Sequence, residues 1–448
     1  MTLLTALPAP GSYRLTGTGH WRSAFAVTEL ANASVAAVGL ELARLVQALN
    51  LAPVAPDVTV DQRLASFWFS YSFRPEGWEL PSLWDPVAGN YETADGWIRL
   101  HTNLPHHRQA ALKVLDCAGD RAAVAVAVKQ WQASHLEDEI VNAGGAAAAM
   151  RSRAAWLSHP QGLSVAAEPL ILWRSPRVIQ LRERPKATAE RPLAGLRVLD
   201  LTRVLAGPVS TRTLAGFGAD VLRIDPPGWD EPGVITDVAL GKRMATLDLR
   251  NTADRQRFEA LLSKADVLVH GYRPGALDGL GYGADARRRI APNAVEASLD
   301  AYGWTGPWAL RRGFDSLVQM SAGIADTGRV QAKTDDPQPL PVQALDHATG
   351  YLMAAAVLSA LATAAQGAAV PAAHLSLART AELLGGMQKC AGGPYVAKPA
   401  HSDFTQEIEN SGWGPGRRLA APLALDTSKM RWGRPASHCD SAPACWPE

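Results

Sequence analysis

The sequence predicts an α/β protein with two parts, a large domain built on a parallel sheet and a smaller mixed α+β domain. After residue 192, short apolar runs alternate with helical patterns. Before residue 183, a hairpin pattern stands among helical ones. The stretch 183–192 between them is polar, charged and proline-bearing, which is typical of a linker. A chain of 448 residues is long enough for two such domains.

The alternation in the second half begins at residues 196–201, a short and bounded apolar run that predicts a buried strand. The next segment, 207–217, has helical length and opens with Gly-Pro, a favourable helix start. Further strands are predicted at 219–224, 266–269 and 294–299, with an amphipathic helix at 252–264. Strict alternation of strand and helix indicates right-handed crossovers, a parallel sheet and a Rossmann-like domain.

The first half predicts a mixed subdomain. Residues 90–100 have the pattern of two strands joined by a turn at Asp95-Gly96. Helical patterns follow at 105–115 and 120–133.

An internal similarity links the two ends of the chain. Residues 27–45 resemble 342–361 when one gap is allowed, and short strands are predicted after each, at 58–60 and 374–376. Two copies of one helix–strand unit are therefore predicted. In that alignment Ala31 stands opposite Asp346.

These patterns divide the chain into four predicted segments. Residues 1–65 complete the large domain, 66–185 form the small α+β domain, and 190–388 form the Rossmann-like domain. The last segment, 389–448, is a tail rich in Pro, Gly, Ser and Trp.

Composition excludes several classes of function. The chain has 44 basic and 43 acidic residues, so it lacks the basic excess of a nonspecific nucleic-acid binder. Its four cysteines include no C-x-x-C pair, which favours free thiols in a reducing, cytoplasmic setting. The first residues lack the pattern of a signal peptide. The most apolar stretch, 351–365, is shorter than the roughly 20 residues that a bilayer requires, so we predict a buried helix there and no membrane segment.

Several residues could carry chemistry. Asp346 opens an apolar helix, where it could be a helix N-cap or a reactive carboxylate, and both interpretations stay open at this point. The turn at 200–208 lacks G-x-G-x-x-G, although a crevice at strand ends suits a nucleotide-like ligand. The adjacent His106 and His107 should point apart, so no metal site is expected. Arginines near strand ends could bind phosphates: Arg203, Arg243, Arg250, Arg273, Arg311 and Arg312.

Seven motifs in order resemble the class III CoA-transferases, which include formyl-CoA transferase and the carnitine CoA-transferase group. They begin with 192–208, PLAGLRVLDLTRVLAGP, and 218–224, GADVLRI. The others are GKR with LDLR at 241–250, ADVLV with YRPGAL at 265–277, YGWTGP at 302–307, GFD at 313–315 and D-x-x-x-G at 346–350. The last is similar to the segment that carries the family's catalytic aspartate.

The domain order departs from that of the family. Residues 84–100 and 154–160 are similar to the family's small domain, which normally follows the large one. Here it comes first, so the order looks permuted, as if the tail of one copy were fused to the head of another. The Arg74–Trp78 stretch takes the place of the family's glycine-rich active-site loop, and Pro226 and Gly279 replace two arginines of formyl-CoA transferase.

The resemblance implies a CoA-transferase that moves coenzyme A from an acyl-CoA thioester to a carboxylic acid. Asp346 would form first an aspartyl anhydride and then an aspartyl-CoA thioester. It implies no metal and no permanently bound cofactor, with CoA as substrate, and a homodimer as the assembly. The implied CoA contacts are Val204, Leu205, Leu247, Arg250, Gly271, Tyr272, Arg273, Arg312 and Phe314.

Two alternatives remain. One is an acyl-CoA racemase or epimerase of the same superfamily, whose paired His and Asp act on the two faces of the α-carbon. Phe314 stands at the histidine position and cannot carry a proton, which argues against it. The other is a non-catalytic CoA-binding relic, favoured by the altered order and the missing loop.

Overall fold

The structure, a computed structural model, describes residues 3–9, 11–390, 393–396 and 398–447. Its strands are β1 Arg14–Thr16, β2 Val58–Asp61, β3 Phe73–Pro75, β4 Gly89–Glu92, β5 Trp97–Leu100, β6 Ala147–Ala149, β7 Leu172–Arg177, β8 Arg197–Leu201, β9 Asp220–Asp225, β10 Lys242–Thr246, β11 Val267–His270, β12 Val295–Asp300, β13 Val370–Ser376, β14 Glu409–Ser411, β15 Gly414–Arg418, β16 Leu423–Leu425 and β17 Ser428–Lys429.

The helices complete the set of elements. They are α1 Val27–Ala48, α2 Gln62–Trp68, α3 Pro105–Leu115, α4 Arg121–Val128, α5 Ala133–Asn142, α6 Arg153–Ser158, α7 Pro160–Ala167, α8 Ala206–Gly216, α9 Ile235–Val238, α10 Thr252–Leu262, α11 Ala276–Gly279, α12 Ala284–Ile290, α13 Asp315–Ser321, α14 Ile324–Ala332, α15 Ala344–Ala365 and α16 Leu377–Gly386.

A seven-stranded sheet forms the centre of the molecule, in the order β10-β9-β8-β11-β12-β13-β7. Six of its strands are parallel, and β7 joins the β13 edge antiparallel. Three smaller sheets accompany it, so the fold is a mixed α/β architecture with a large, mostly parallel sheet. Beyond β8 the chain runs outward to β9 and β10 and then returns to β11 on the other side. The carboxyl ends of β8 and β11 therefore flank a crevice.

The strands predicted at 196–201, 219–224, 266–269 and 294–299 form within one residue of the expected bounds, whereas the strand predicted at 374–376 begins four residues earlier, at Val370. Two strands were not predicted. β10 begins with Lys242 and Arg243, and β7 carries Arg174 and Arg177, so neither is a continuous apolar run. Lys242 is buried nonetheless because its ammonium group pairs with Asp200 at 2.9 Å. Tertiary pairing of charges thus overrides the local pattern at β10.

The core helix α15 is longer than the sequence pattern indicated. It has 22 residues and is long and apolar enough to cross a bilayer by length and composition. The expectation that this segment is too short to span was therefore wrong. Its surface is covered by α1, α8 and β13, and 94% of its most apolar window is buried inside the protein, because this helix forms the centre of the main hydrophobic core.

The internal repeat has a structural counterpart in α1–β2–α2 and α15–β13–α16. Both long helices have 22 residues, and both are entered through an inverse γ-turn. In one copy Val27 N–H donates to the Phe25 carbonyl at 2.9 Å, and in the other Ala344 N–H donates to the Val342 carbonyl at 2.8 Å. Aligning these turns places Glu29 opposite Asp346, so the gapped alignment with Ala31 was off by two residues.

The two copies differ in where their strands pair. Helix α1 packs against α15. Strand β13 lies in the large sheet, whereas β2 pairs with β1 and β16 in a separate small sheet. Residues 27–60 therefore share the main core through α1 but do not extend the large sheet.

The described part of 389–448 wraps around the rest of the chain. Strand β16 pairs with β2, and β15 pairs with β3. Ala442 N–H also donates to the Met244 carbonyl of β10. The small sheet β4-β5-β6 packs with α3, α4 and α5 around its own apolar cluster.

Candidate active site

The loop between β8 and α8 is held in an unusual backbone conformation. Val204 has a φ of +65°, a region that β-branched residues rarely adopt. Its backbone N–H donates to the Glu231 carboxylate, which also accepts a hydrogen bond from the buried Arg223 at 2.6 Å. The strained turn is therefore anchored to a buried ion pair at the carboxyl end of β8.

Asp346 is the third residue of α15 rather than its N-cap. Gln343 occupies the cap position, but its side chain makes no capping hydrogen bond to the helix. Instead Asp315 of α13 accepts hydrogen bonds from the backbone N–H groups of Leu345 and Asp346, the latter at 2.9 Å. A carboxylate at a helix N-terminus satisfies unpaired N–H groups and complements the helix dipole. Asp315 thus positions the start of α15.

The Asp346 carboxyl group lies in a buried and acidic setting. The residue is 8% exposed, and no hydrogen bond to its carboxylate occurs within the part of the chain that the structure describes. Burial raises the pKa of Asp346 well above its usual value of 3.8, and the charge of Asp315 raises it further. Burial also raises the pKa of Asp315 to about 6.

A cavity of about 300 Å³, which we call the arginine cavity, lies beyond the ends of β8, β11 and β12. Its lining includes Arg203, Arg273, Arg311 and Arg312. Arg203 donates to the Tyr272 hydroxyl at 2.8 Å, and Arg311 pairs with Glu137 at 2.7 Å. No carboxylate of the described residues pairs with Arg273 or Arg312, and the charge of Arg273 adds to burial in lowering the pKa of Arg312. An anion bound between these two guanidinium groups would relieve that repulsion.

Buried polar atoms in the same cavity lack partners among the described residues. They include both ring nitrogens of His107, the Oδ2 atom of Asp300 and the indole nitrogen of Trp229. Buried polar groups are usually hydrogen-bonded, so unpaired ones facing a cavity indicate a ligand or ordered water. The cavity therefore has the features of a site for a phosphate-bearing ligand with polar groups.

A second cavity, of about 250 Å³, lies on the other side of Asp346. We call it the aromatic chamber because the rings of Phe69, Tyr71, Trp84, His101, Phe314 and His347 line it. His101 stacks on Phe314 with ring centroids 3.6 Å apart. Val204, Leu205, Phe314 and Asp346 line both cavities, so Asp346 lies at their junction.

The structure brings together most of the predicted site residues. The arginine cavity is lined by Val204, Leu205, Gly271, Tyr272, Arg273, Arg312, Phe314 and Asp346. Two predicted contacts lie elsewhere. Leu247 is buried in the apolar cluster on the side of the sheet with α10. Arg250 is exposed and pairs with Asp248 at 2.9 Å. Of the other arginines near strand ends, Arg243 pairs with Asp220 outside the cavity.

Other site residues were missed or misjudged from sequence. The rings of His106 and His107 lie 4.2 Å apart and both line the arginine cavity, so the expectation that they point apart was wrong. Asp315 belongs to the GFD motif, but no sequence pattern around it indicates that its carboxylate caps α15, 31 residues later. His101 and Trp84 precede Asp346 by more than 200 residues in the chain. No group of three or more His, Cys, Asp or Glu side chains suited to a metal ion occurs among the residues that the structure describes.

Part of this chain is similar to known proteins. The profile of the CoA-transferase family III matches residues 193–397. A probable fatty acyl-CoA transferase of Mycobacterium tuberculosis is 36% identical over 191 residues, covering 40% of this chain and 48% of that protein. A succinyl-CoA:glutarate CoA-transferase of Mus musculus is 32% identical over 194 residues, covering 40% of this chain and 44% of that protein.

A crystal structure of a Mycobacterium tuberculosis protein is 36% identical, covers 43% of this chain and 55% of that chain, and gives a TM-score of 0.40. The match to the CoA-transferase family III covers residues 193–397 and agrees with the resemblance of the sequence motifs over this part of the chain. The chain spans about half the length of the curated relatives it matches.

Proposed function

We propose that this protein is a CoA-transferase that moves coenzyme A from an acyl-CoA thioester to a carboxylic acid, with Asp346 as the nucleophile. The observation that carries the proposal is the position of Asp346 at the junction of the arginine cavity and the aromatic chamber. A thioester must lie with its phosphates on one side and its acyl group on the other. The arginine cavity suits the phosphates, and the aromatic chamber, which no Lys or Arg of the described residues lines, suits the acyl group.

The chemistry proceeds by covalent catalysis. The Asp346 carboxylate attacks the thioester carbonyl, which gives a mixed anhydride and releases CoA thiolate. The thiolate then attacks the aspartyl carbonyl, which gives an aspartyl-CoA thioester and frees the donor acid. An acceptor carboxylate attacks this thioester and repeats the two steps in reverse. Only ionised Asp346 is nucleophilic, so its raised pKa makes transfer faster as pH increases.

The Rossmann-like character predicted for residues 190–388 is part of this proposal. It is supported by the order of the six parallel strands, which runs outward from β8 in both directions. In sheets of this order, ligands bind beyond the carboxyl ends of the strands where the direction reverses. The arginine cavity lies at that place, beside β8 and β11.

Covalent trapping tests the proposal. The protein is incubated with acyl-CoA thioesters and an acceptor acid, and hydroxylamine is added during turnover. Mass spectrometry should find the hydroxamate on Asp346 in the wild type and on no residue of Asp346→Ala. Transfer without modification at Asp346, or modification elsewhere, would contradict the assignment.

A second candidate is supported by His101. Racemisation of an acyl-CoA needs a proton carrier facing Asp346, and Phe314 cannot serve. The His101 ring stacks on Phe314 and lines the aromatic chamber together with Asp346, and burial lowers its pKa well below 6.5, which keeps it neutral. Exchange of the α-proton of 2-methylacyl-CoA in D2O without CoA transfer would favour this function. CoA binding with neither reaction would favour a non-catalytic binding protein.

The homodimer, the cytoplasmic location, the permuted domain order and the four segment boundaries remain part of the proposal. Sedimentation at micromolar concentration tests the dimer. A monomeric protein that retains transfer would show that the partner subunit is not needed.

A further inference from the structure

The aromatic chamber contains no cationic side chain to balance the charge of a second carboxylate. Among the described residues that line it, none is Lys or Arg, whereas three are acidic: Asp237, Asp315 and Asp346. The arginine cavity on the other side of Asp346 carries four arginines. The two cavities on either side of Asp346 therefore differ in charge, and they would hold the two ends of the proposed substrate, the CoA phosphates and the acyl group.

The nearest buried cations are already engaged. Arg212 donates to the Asp237 carboxylate at 2.5 Å, and Arg418 contacts the same carboxylate at 3.4 Å and Glu409 at 2.7 Å. Neither lines the chamber. A carboxylate placed there would lose its hydration beside acidic groups without gaining a charged partner.

Neutral polar atoms in the chamber are available instead. The Ser316 hydroxyl and the Nδ1 atoms of His101 and His347 are buried and have no hydrogen-bond partner among the described residues. Burial lowers the pKa of His347 to about 3, so its ring stays uncharged at neutral pH. These groups can bind an uncharged hydroxyl or carbonyl group but supply no positive charge.

The size of the chamber limits the group that it can hold. Its volume is about 250 Å³, and a dry apolar cavity of about 150 Å³ admits a benzene ring. Phe69 lies at 5.9 Å from Tyr351 with nearly parallel rings, and it also stacks on His347. The wall is therefore made of packed, flat rings that suit a compact apolar group.

We propose that the aromatic chamber is the acyl pocket and that it selects uncharged acyl groups about the size of a phenyl ring or a branched short chain over dicarboxylic ones. This inference rests on the proposed transferase function. It names the substrate class of the same site from the contrast in charge between the two cavities.

A binding measurement tests the selectivity separately from the reaction. The Asp346→Asn variant lacks the nucleophile, so it can be titrated calorimetrically with intact thioesters. We use 4-methylpentanoyl-CoA and succinyl-CoA, which have similar shapes and differ in an isopropyl group against a carboxylate. The uncharged thioester should bind at least about fivefold more tightly. A smaller ratio or the reverse preference overturns the inference.

A matched pair of variants tests the place of the acyl group. Leu83 lies at the chamber wall and is 48% exposed, so it tolerates polar substitution. In the Asp346→Asn background, Leu83→Arg should lower the binding ratio by about fivefold or more, because it supplies the missing cation. Leu83→Gln, which is polar but uncharged, should keep it. An unchanged ratio in Leu83→Arg would show that the acyl group lies elsewhere.

The two proposals fail in different ways. Absence of CoA transfer by the wild-type protein across thioesters of both kinds contradicts the proposed function, whatever the binding ratio. Transfer with a preference for succinyl-CoA leaves the function in place and overturns the selectivity.

Discussion

Helices α1 and α15 begin in the same way, but the acidic side chains at their third residues lie in different surroundings. Glu29 and Asp346 occupy equivalent places after an inverse γ-turn. The Glu29 carboxylate accepts a hydrogen bond from the backbone N–H of Cys390 at 2.7 Å. The Asp346 carboxylate accepts none from the described residues and faces two cavities. The helix supplies the position of the acid, and the elements opposite its N-terminus determine whether the acid is engaged or available.

The elements opposite α15 are the ends of β8, β11 and β12 and the start of α13. They contribute the strained turn at Val204, the arginines and Asp315. Glu29 lines neither the arginine cavity nor the aromatic chamber. In the proposed mechanism, the reactivity of Asp346 would therefore come from the crevice of the large sheet rather than from the helix–strand unit itself.

The largest effect should be the difference between removing the Asp346 carboxylate and removing the Glu29 carboxylate. Asp346→Ala should lower the rate of CoA transfer on the order of a thousandfold or more, because it removes the proposed nucleophile. Glu29→Gln should leave the rate within about twofold. Both rates are measured by the appearance of the acceptor thioester, with circular dichroism as a check of folding. A large loss in Glu29→Gln would break the comparison.

The next effect concerns how closely each helix packs. A Cβ atom at Gly350 would lie 2.4 Å from the Ala206 carbonyl oxygen, so Gly350→Ala forces α15 away from α8. We expect a loss of about 1–3 kcal/mol in the free energy of unfolding, measured in urea.

The matched change on α1 is at the equivalent position. Ala33→Gly should cost about 1 kcal/mol through helix propensity. If Gly350→Ala costs no more than that, the close approach of α15 to α8 is not required for stability.

A third prediction concerns the charge beside Asp346. Asp315→Asn keeps the shape and an oxygen acceptor for the start of α15 but removes a negative charge. The pKa of Asp346 should fall, so that transfer persists to lower pH, as measured from the pH dependence of kcat/KM. Glu29→Gln serves as the control and should leave this profile unchanged. A profile that stays unmoved in Asp315→Asn would show that Asp315 does not act on Asp346.

The same substitution has a consequence for stability. Because the pKa of Asp315 is raised from 3.8 to about 6 in the folded protein, its contribution is fully present below pH 3.8 and is lost as pH increases through about 6. Asp315→Asn has no ionisable group at this position and lacks this loss. The difference in the free energy of unfolding between variant and wild type should therefore shift in favour of the variant as pH increases from 4 to 7. The improvement should be at most about 1.4 kcal/mol for each pH unit that separates the folded and unfolded pKa values. Urea unfolding at a series of pH values measures it.

The smallest expected effect is on CoA affinity. Arg312→Gln should raise the KM for acyl-CoA about tenfold, since a charge-assisted hydrogen bond to phosphate is lost. Arg250→Gln should change it by less than about twofold because Arg250 lies outside the cavity and pairs with Asp248. Equal increases in KM for the two variants would show that Arg250 contacts CoA and that the binding site extends beyond the cavity.

Much of this architecture could be predicted locally. The strands β8, β9, β11 and β12 are short apolar runs, and the hairpin of β4 and β5 has its turn at Asp95-Gly96. β10 could not be predicted in this way, because its lysine is buried only through an ion pair with Asp200, 42 residues earlier. The motifs also indicated Asp346, in the first turn of α15, together with Arg273 and Arg312. The two arginines follow strands of the parallel sheet, and the ends of such strands meet at one edge.

The sequence by itself determined the alternation of strands and helices and the presence of an acid in the first turn of α15, because periodicity and motif spacing are local properties. Only the tertiary structure decided that Asp315 caps this helix and that His101, His107 and Trp84 line the cavities. It also decided that Asp346 has a raised pKa and that Glu29 is its counterpart. These properties depend on burial and on neighbours distant in the chain, and the strength of a charge interaction is set by the distance and the solvent between the groups.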